Sequence, residues 1–484
     1  MQPNMNDNMN DKMNDNLNDK KTQTKSIASL TTSLTTAFKP RAQLILSFTL
    51  LLTSSFFLTS SFAAEPNGGV ITIRAAVNTA LSNNPSIQKA KEVLNYDIAE
   101  TSLIRTSLYP TLNFTTTGLY KKDSPLADYT ANFGGEGYNS YNLDLKLNQP
   151  LFAYGSLAAV TNSDYNRKIN QIDVELAERD LTNQVIQAFY QVILDHKILD
   201  LLNRQLDVLQ ETLKTSQNRY QTGRGQLLDV LQVKTQMALL KPQIITAKNS
   251  IDSAAAKLST LMGEVSQNEA KIKGRLVRIP RAVIDATVNL KHSSLPELER
   301  IRMQRLQLNE LKDVTWGKHY PNLALVGDLG SNSYTKSEIF SNYSQFWSVG
   351  LQLTIPIFSG FSSSYEQKAL SSQDYQLEYQ ARDTIANLEL SQLTARKTLE
   401  SSDASLSSAE EASNLARESV AEAKRNYRLA TIDFLIFLSV QNSQLTADTS
   451  FFNTEYGSIQ AITNYFIASG QSLSKLIDLL GENQ

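Results

Sequence analysis

The chain has 484 residues, a formal net charge of −2 and 19% charged residues, which leaves no basic face for nucleic acid. It contains no cysteine, so a disulfide framework, a thiolate nucleophile or metal site and a cysteine-borne lipid are excluded. The 3 histidines, His196, His292 and His319, are too scattered for a metal cluster. Acids are frequent but fall at i,i+4 spacing, the pattern of solvated helix charge. No catalytic constellation, metal or cofactor is expected, and the chain reads as a non-enzyme.

Residues 1–40 are polar and repetitive, with the run MNDNMNDKMNDNLNDKK. They cannot bury enough apolar surface to offset ordering, which predicts a disordered leader. Lys39 and Arg41 then precede a stretch uncharged from Ala42 to Ala64. Its ending, Ser61-Phe62-Ala63, fits cleavage before Ala64, so residues 41–63 read as a signal peptide and the mature chain as exported. An uncleaved membrane anchor is the alternative: the stretch is long enough to span, but it is rich in Ser and Thr.

The mature chain repeats itself. Tyr109-Pro110 recurs as Tyr320-Pro321, KLNQPLFAYG around Pro150 as QLTIPIFSG around Pro356, and NRYQTGRGQLLDVLQ around Tyr220 as RNYRLATIDFLIFLS around Tyr427. The order is the same in both copies, the mark of a tandem duplication, and the period is too long for a solenoid. The division expected is a first repeat at 64–262, an inter-repeat segment at 263–294, a second repeat at 295–470 and a tail at 471–484.

Within each copy the periodicity changes. Ser156 to Thr222 contains no Gly or Pro, and Val185, Val192, Leu199, Leu206 and Leu213 recur every seven residues, with Leu202 and Leu209 flanking. As one helix it would reach about 100 Å. Phe361 to Tyr456 also lacks Gly and Pro, with a seam of Leu388, Ala395, Ser402, Ala409, Ala416 and Ala423. Pro242 lies in the return helix of the first copy, where it should kink or interrupt it. The strands have period two. YNLDLKL alternates Tyr141, Leu143, Leu145 and Leu147 with Asn142, Asp144 and Lys146, and WSVGLQLTI alternates Trp347 through Ile355 with Ser348, Gly350, Gln352 and Thr354. TLNF and NLALVGDL are weaker partners, giving two hairpins. Tyr120, Tyr138, Phe152 and Tyr154, then Tyr334, Phe340, Tyr343, Trp347 and Phe358, crowd the strand ends. An apolar outer face, a polar inner face and aromatic ends describe a transmembrane β-barrel. On this reading Leu145 and Leu351 face lipid, and Asp144 and Gln352 face the lumen. An ordinary soluble sheet is the alternative. Four strands cannot close a barrel in hydrocarbon, so other copies must complete it.

From Ile71 to Gly470 the chain resembles the TolC-like outer-membrane efflux proteins. The resemblance rests on the duplicated strand-strand-long-helix plan, the Tyr-Pro-x-Leu junctions at Pro110 and Pro321, the Pro-x-Phe junctions at Pro150 and Pro356, and RYQTGRGQLLDVLQ, which is similar to the family's helix-hairpin tip. It implies an α+β membrane fold: a homotrimer whose four strands per chain build one twelve-stranded outer-membrane β-barrel, continued by a periplasmic α-helical coiled-coil barrel. It implies a Gram-negative outer-membrane location, contact with outer-membrane lipid, a periplasmic adaptor protein and an inner-membrane pump. The function implied is the channel of a tripartite efflux system, a passive exit duct for small toxic compounds or drugs. The outer-membrane duct of a type I protein secretion system is the alternative within the fold, and an exported coiled-coil structural or adhesin protein the alternative outside it.

The resemblance also picks out the two tips. Tyr220, Asp229 and Tyr427 match periplasmic gate positions, and Thr222, Gly223, Arg224, Leu429, Ala430 and Thr431 match adaptor-docking positions. The second repeat departs from the family pattern: Ile436 and Ser439 stand where acids are frequent, and Gly225 and Ile432 where an arginine lock can lie. That leaves Asp229 as the expected acidic constriction, backed by FLIFL (Phe434 to Leu438). The alternative makes Asp229 a cap or solvated helix residue and FLIFL seam packing.

Overall fold

The computed structural model describes residues 71–122, 137–264, 272, 274–279, 284, 295–429 and 431–482. The leader, the signal peptide, Ala430 and most of the inter-repeat segment lie outside them.

Two helices open the described chain, α1 (Ile73–Asn83) and α2 (Pro85–Arg105). Thr72 caps the first through the Ala75 N–H, and Asn84 caps the second through the Ser86 N–H at 2.8 Å, with Pro85 at the first turn, where its missing donor costs nothing. Tyr109 and Pro110 then lead into β1 (Thr111–Lys121), which is followed by β2 (Tyr138–Phe152). The long helix α3 (Tyr154–Gln221) runs out to the first tip and α4 (Leu227–Leu261) returns. The second repeat writes the same sentence: α5 (Pro296–Gly317), β3 (Asn322–Ser333), β4 (Gln345–Thr354), α6 (Ser362–Arg428) and α7 (Phe434–Ala468). Helix lengths match across the duplication, 68 and 35 residues against 67 and 35. Residues 473–482 of the expected tail form a short helix, α8 (Leu473–Glu482).

The four strands make one antiparallel sheet in the order β1-β2-β3-β4, so the middle pairing joins the two repeats. Its register sorts the side chains by face. Phe114, Leu145, Leu329 and Trp347 lie in one row, and Asn113, Lys146, Asp328 and Ser348 in the next. Directly paired residues share a face and neighbours alternate, so one face carries Leu112, Phe114, Leu145, Leu147, Leu329, Trp347, Val349 and Leu351. The other face carries Asp144, Lys146, Asp328 and Gln352, with Lys146 and Asp144 paired at 3.4 Å. The apolar face lies bare: Leu112, Phe114, Trp347, Val349 and Leu351 are each more than half exposed. A soluble sheet buries that face, whereas here no described residue covers it. Strands β1 and β4 are open edges.

The proline junctions fall between strand and long helix, but in different ways. Pro150 sits inside β2, where the pairing with β3 slips between Pro150 and Phe152, and α3 starts at Tyr154. Pro356 lies beyond the end of β4, and α6 starts only at Ser362 after Gly360 and Phe361, both at positive φ. Pro110 and Pro321 each immediately precede a strand. Pro242 neither ends nor splits α4, and it takes an exposed position on the helix.

Two apolar clusters hold the helices. One packs α1 and α8 against the middle of α3, together with Leu258, Met262, Leu276, Val277, Ile279 and Ile284, the end of α7, and Ala395 and Leu399 of α6. The other lies near the tips. The expected seams need correction in phase. On α3 below Val192, Leu202 and Leu209 are the buried positions, and Leu199, Leu206 and Leu213 only half-buried. On α6, Ala395 and Ala423 are buried as expected, but the stronger line is Leu399, Leu406, Ser413 and Tyr427. A seam has two alternating positions: on α3 the buried line runs through the expected Val185 and Val192 and then passes to the flanking Leu202 and Leu209, and on α6 it runs beside the expected Ala395 and Ala423.

Candidate functional site

The tips are built alike. At the first, α3 ends at Gln221, and Gly223 takes φ +71, a left-handed conformation that costs glycine nothing. The Arg224 N–H then reaches back to the Arg219 carbonyl at 2.8 Å. At the second, the Thr431 N–H bonds the Asn426 carbonyl at 3.0 Å. Both bonds span five residues, the closing bond of a Schellman turn. Thr222 Oγ1 donates to the Asn218 carbonyl at 2.9 Å, and Thr431 Oγ1 to the Asn426 carbonyl at 2.9 Å. Thr222, Gly223, Arg224, Leu429 and Thr431 are all exposed.

The duplicated tyrosines have diverged. Tyr220 is 48% exposed, whereas Tyr427 is 3% exposed. The Tyr427 ring stacks on Phe437 with centroids 5.2 Å apart and planes 3° apart, and its hydroxyl meets Ser216 Oγ at 2.8 Å. The Arg219 guanidinium lies over the same ring, 4.7 Å from its centre, and donates to the Tyr427 carbonyl and, at 3.0 Å, to the Arg428 carbonyl. A cation there meets both the ring face and the negative end of the α6 dipole. Slightly above, Glu211 of α3 accepts from Lys424 at 2.6 Å and from Arg428. These two bonds hold its carboxyl below the usual glutamate range. The first-repeat and second-repeat tips are thereby clamped within one protomer by Glu211, Ser216 and Arg219.

Sequence reasoning sought an arginine after the tip glycine and met Gly225 and Ile432. The structure supplies Arg219, from before the tip. Its neighbour Tyr220 drew attention as the repeat mark, but the partner of Arg219 is the other copy's tyrosine. Lys424 and Arg428, four residues apart with Glu211 one seam away on α3, were the available signal.

Asp229 stands in the first turn of α4, half-buried, with no hydrogen bond or ion pair to a described residue. The N-cap is Gln226 and carries no side-chain cap bond, so Asp229 does not act as the cap. FLIFL divides between the two expectations. Phe434, Phe437 and Leu438 are buried in the tip cluster, while Leu435 and Ile436 are more than half exposed.

A sheet with a bare apolar face, a polar opposite face and two open edges, continued by helices of 68 and 67 residues, defines a membrane channel with a long helical extension. Residues 76–264 and 293–476 match the family model described as outer membrane efflux protein, and the chain belongs to that family. It is 26% identical to the proteases secretion protein PrtF of Dickeya chrysanthemi over 72% of this chain and 78% of that one. It is 20% identical to outer membrane protein TolC of Escherichia coli K12 over 81% and 83%. The Campylobacter jejuni CmeC outer membrane channel shares its fold with a TM-score of 0.69 at 18% identity, covering 85% of this chain and 89% of that one. The protein is therefore an outer-membrane transport duct with a periplasmic extension, and not an enzyme.

Proposed function

We propose that the protein is the outer-membrane channel of a tripartite efflux system, a homotrimeric passive duct through which small toxic compounds or drugs leave an inner-membrane pump by way of a periplasmic adaptor. The observation that carries this reading is the four-stranded sheet with unpaired edges β1 and β4 and an uncovered apolar face. In lipid such edges must be closed by further copies. The helices agree with the sheet: α2 leads into β1 on one flank and β4 into α6 on the other, so a ring of copies would close both layers together. The exposed tip residues Thr222, Gly223, Arg224, Leu429 and Thr431 are the adaptor contacts in this reading.

Asp229, unpaired with any described residue of its own protomer, supplies an acidic ring at the periplasmic mouth once three copies meet. Single-channel recordings should show lower cation selectivity in Asp229→Ala, with unchanged folding. Equal selectivity would remove the ring and leave the duct.

Type I protein secretion is the second reading, favoured by the likeness to PrtF, whose own name records protease secretion. Deletion of the gene separates the two. Efflux predicts raised accumulation of dyes and antibiotics with an unchanged secretome, and secretion predicts the loss of one or a few exported proteins. A deletion strain unchanged in both would count against the duct.

A further inference from the structure

The sheet obeys the steps that relate the two repeats. The step from Pro110 to Pro321 carries Thr111 onto Asn322, and the step from Pro150 to Pro356 carries Asn148 onto Thr354. Thr111 pairs with Asn148, and Asn322 pairs with Thr354. The two hairpins therefore share one register, and residues one step apart are structural equivalents.

The seam between the repeats joins β2 to β3 and α3 to α5. In the sheet, Lys146 pairs with Asp328 and Leu145 with Leu329. Between the helices, Arg300 Nε donates to Asp173 at 2.6 Å and Gln307 Nε2 to Asn166 Oδ1 at 3.3 Å. The Val314 carbonyl lies 3.6 Å from where a side chain on Gly155 would begin. All six of these helix residues are half-buried.

Their equivalents lie bare. The same steps carry Arg300, Gln307 and Val314 onto Lys89, Tyr96 and Leu103 of α2, and Gly155, Asn166 and Asp173 onto Phe361, Ser372 and Tyr379 at the start of α6. All six are exposed. Tyr96 and Leu103 are 65% and 68% exposed, and Phe361 and Tyr379 65% each. Each set forms one stripe. Lys89, Tyr96 and Leu103 are seven residues apart and lie within about 40° on α2, as Tyr365, Ser372 and Tyr379 do on α6. Both stripes point away from the chain's own helices. Arg105, which bonds Asp164 of α3, lies about 180° round α2 from Tyr96. Asp374, which pairs with Arg305 and Lys312 of α5, lies about 160° round α6 from Ser372.

We infer that neighbouring copies join by repeating this internal seam: β4 of one copy pairs with β1 of the next so that Gln352 stands opposite Thr117 and Leu351 opposite Gly118, while α6 seats on α2 with Tyr379 against Lys89, Ser372 against Tyr96 and Phe361 against Leu103. The strand pairs are the step-related images of Lys146 with Asp328 and of Leu145 with Leu329. They keep like faces together, since Gln352 and Thr117 both lie on the polar face and Leu351 and Gly118 on the apolar one. Tyr379 stands where the internal seam has Asp173, so apolar area takes the place of an ion pair. This rests on the trimeric duct and fixes the register at which its copies meet.

The chain has no cysteine, so paired cysteines can be introduced without background. Oxidation of assembled Thr117→Cys/Gln352→Cys protein should convert the monomer band on denaturing gels into dimers and trimers, because directly opposed residues stand about 4.5–5.5 Å apart at Cβ. Thr115→Cys/Thr354→Cys, the next pair on the same face, should do the same and serves if the first assembles poorly. Thr117→Cys/Ser348→Cys, displaced by about 14 Å along β4, should stay monomeric. In the helices, a short bifunctional maleimide should link Tyr96→Cys/Ser372→Cys between chains. It should not link Tyr96→Cys/Leu390→Cys, because Leu390 stands about 27 Å along α6 from Ser372. An intact trimer in which the strand or the helix pair fails to link, or in which Thr117→Cys links through Ser348→Cys, overturns the shared register alone. A wild-type protein found monomeric in its membrane would overturn the trimeric duct as well.

Discussion

The two hairpins that make the tips, α3/α4 and α6/α7, have the same lengths and the same turns but different interiors. The first is closed by branched aliphatics, with Leu202, Leu209, Val233, Leu240 and Ile244 all buried. In the second, aliphatic Leu399 and Leu406 share the seam with Ala423, Ser413, Gln441 and Asp448. Asp448 is 2% exposed and is held by Ser413 Oγ at 2.5 Å, Gln444 at 3.2 Å and Arg417 at 3.0 Å. Gln441 is 1% exposed, and neither polar atom of its side chain finds a partner. The first hairpin also buries Asp195, Thr212 and Ser216, and the second also buries Tyr427, Phe434, Phe437 and Leu438 at its tip, so the contrast lies above the tip, where the unsatisfied Gln441 carries a desolvation cost with no counterpart in the first seam. Duplication thus kept the backbone and let one copy become the softer member.

That difference can be tested by weakening and strengthening each hairpin in turn. Leu209→Ala should cost about 2–5 kcal/mol, read as lost hydrogen-exchange protection in α3 and α4. If α6 and α7 loosen equally, the two hairpins are one cooperative unit and the contrast fails. Arg417→Ala removes the cation that pairs with buried Asp448. Its effect should be about 2–3 kcal/mol, below the range for a fully buried pair because Arg417 is half exposed, and confined to α6 and α7. Gln441→Leu should do the reverse. Replacing two unsatisfied polar atoms by methyl groups should stabilise α7 by about 1–2 kcal/mol and lower the open probability of the reconstituted channel. The smallest effect is expected at Glu211. Its folded-state carboxyl lies below the usual range, so its contribution is present above the ordinary glutamate pKa and is lost as pH falls through the depressed value. Conductance attributable to the clamp should therefore be flat from neutral pH to about pH 5 and rise only in stronger acid, with Glu211→Gln showing the acid behaviour at neutral pH.

Much of the fold was legible because it is periodic. The alternation around Leu145 and Leu351 fixed the faces of β2 and β4 before any register was known, and the Gly- and Pro-free runs located the long helices. What escaped was what depends on the other copy of the repeat. Leu202 and Leu206 are equally apolar, and only the position of α4 decides which is buried. Tyr220 and Tyr427 occupy matching sequence contexts, yet one is bare and the other encased, because Ser216, Arg219 and Phe437 converge on one side of the pseudo-symmetric pair. The clamp is a contact between chain positions some two hundred residues apart; the four-residue spacing of Lys424 and Arg428 marks one side of it, and only the fold brings Glu211 to them. Residues 123–136 and the leader lie outside the described residues.

The sheet order carries a consequence for biogenesis. Strand β2 finds its second neighbour only in β3, so Tyr141 must meet Ser333. Nearly two hundred residues, including both α3 and α4, are translocated between them. Until β3 arrives, β2 offers an unpaired edge and an apolar row to the aqueous space it is crossing, the condition in which strands aggregate. Pairings this distant in sequence also close slowly. The first repeat therefore cannot insert ahead of the second. A truncation after α4 should therefore yield a protein that is degraded rather than half-assembled, read as its loss from the membrane fraction.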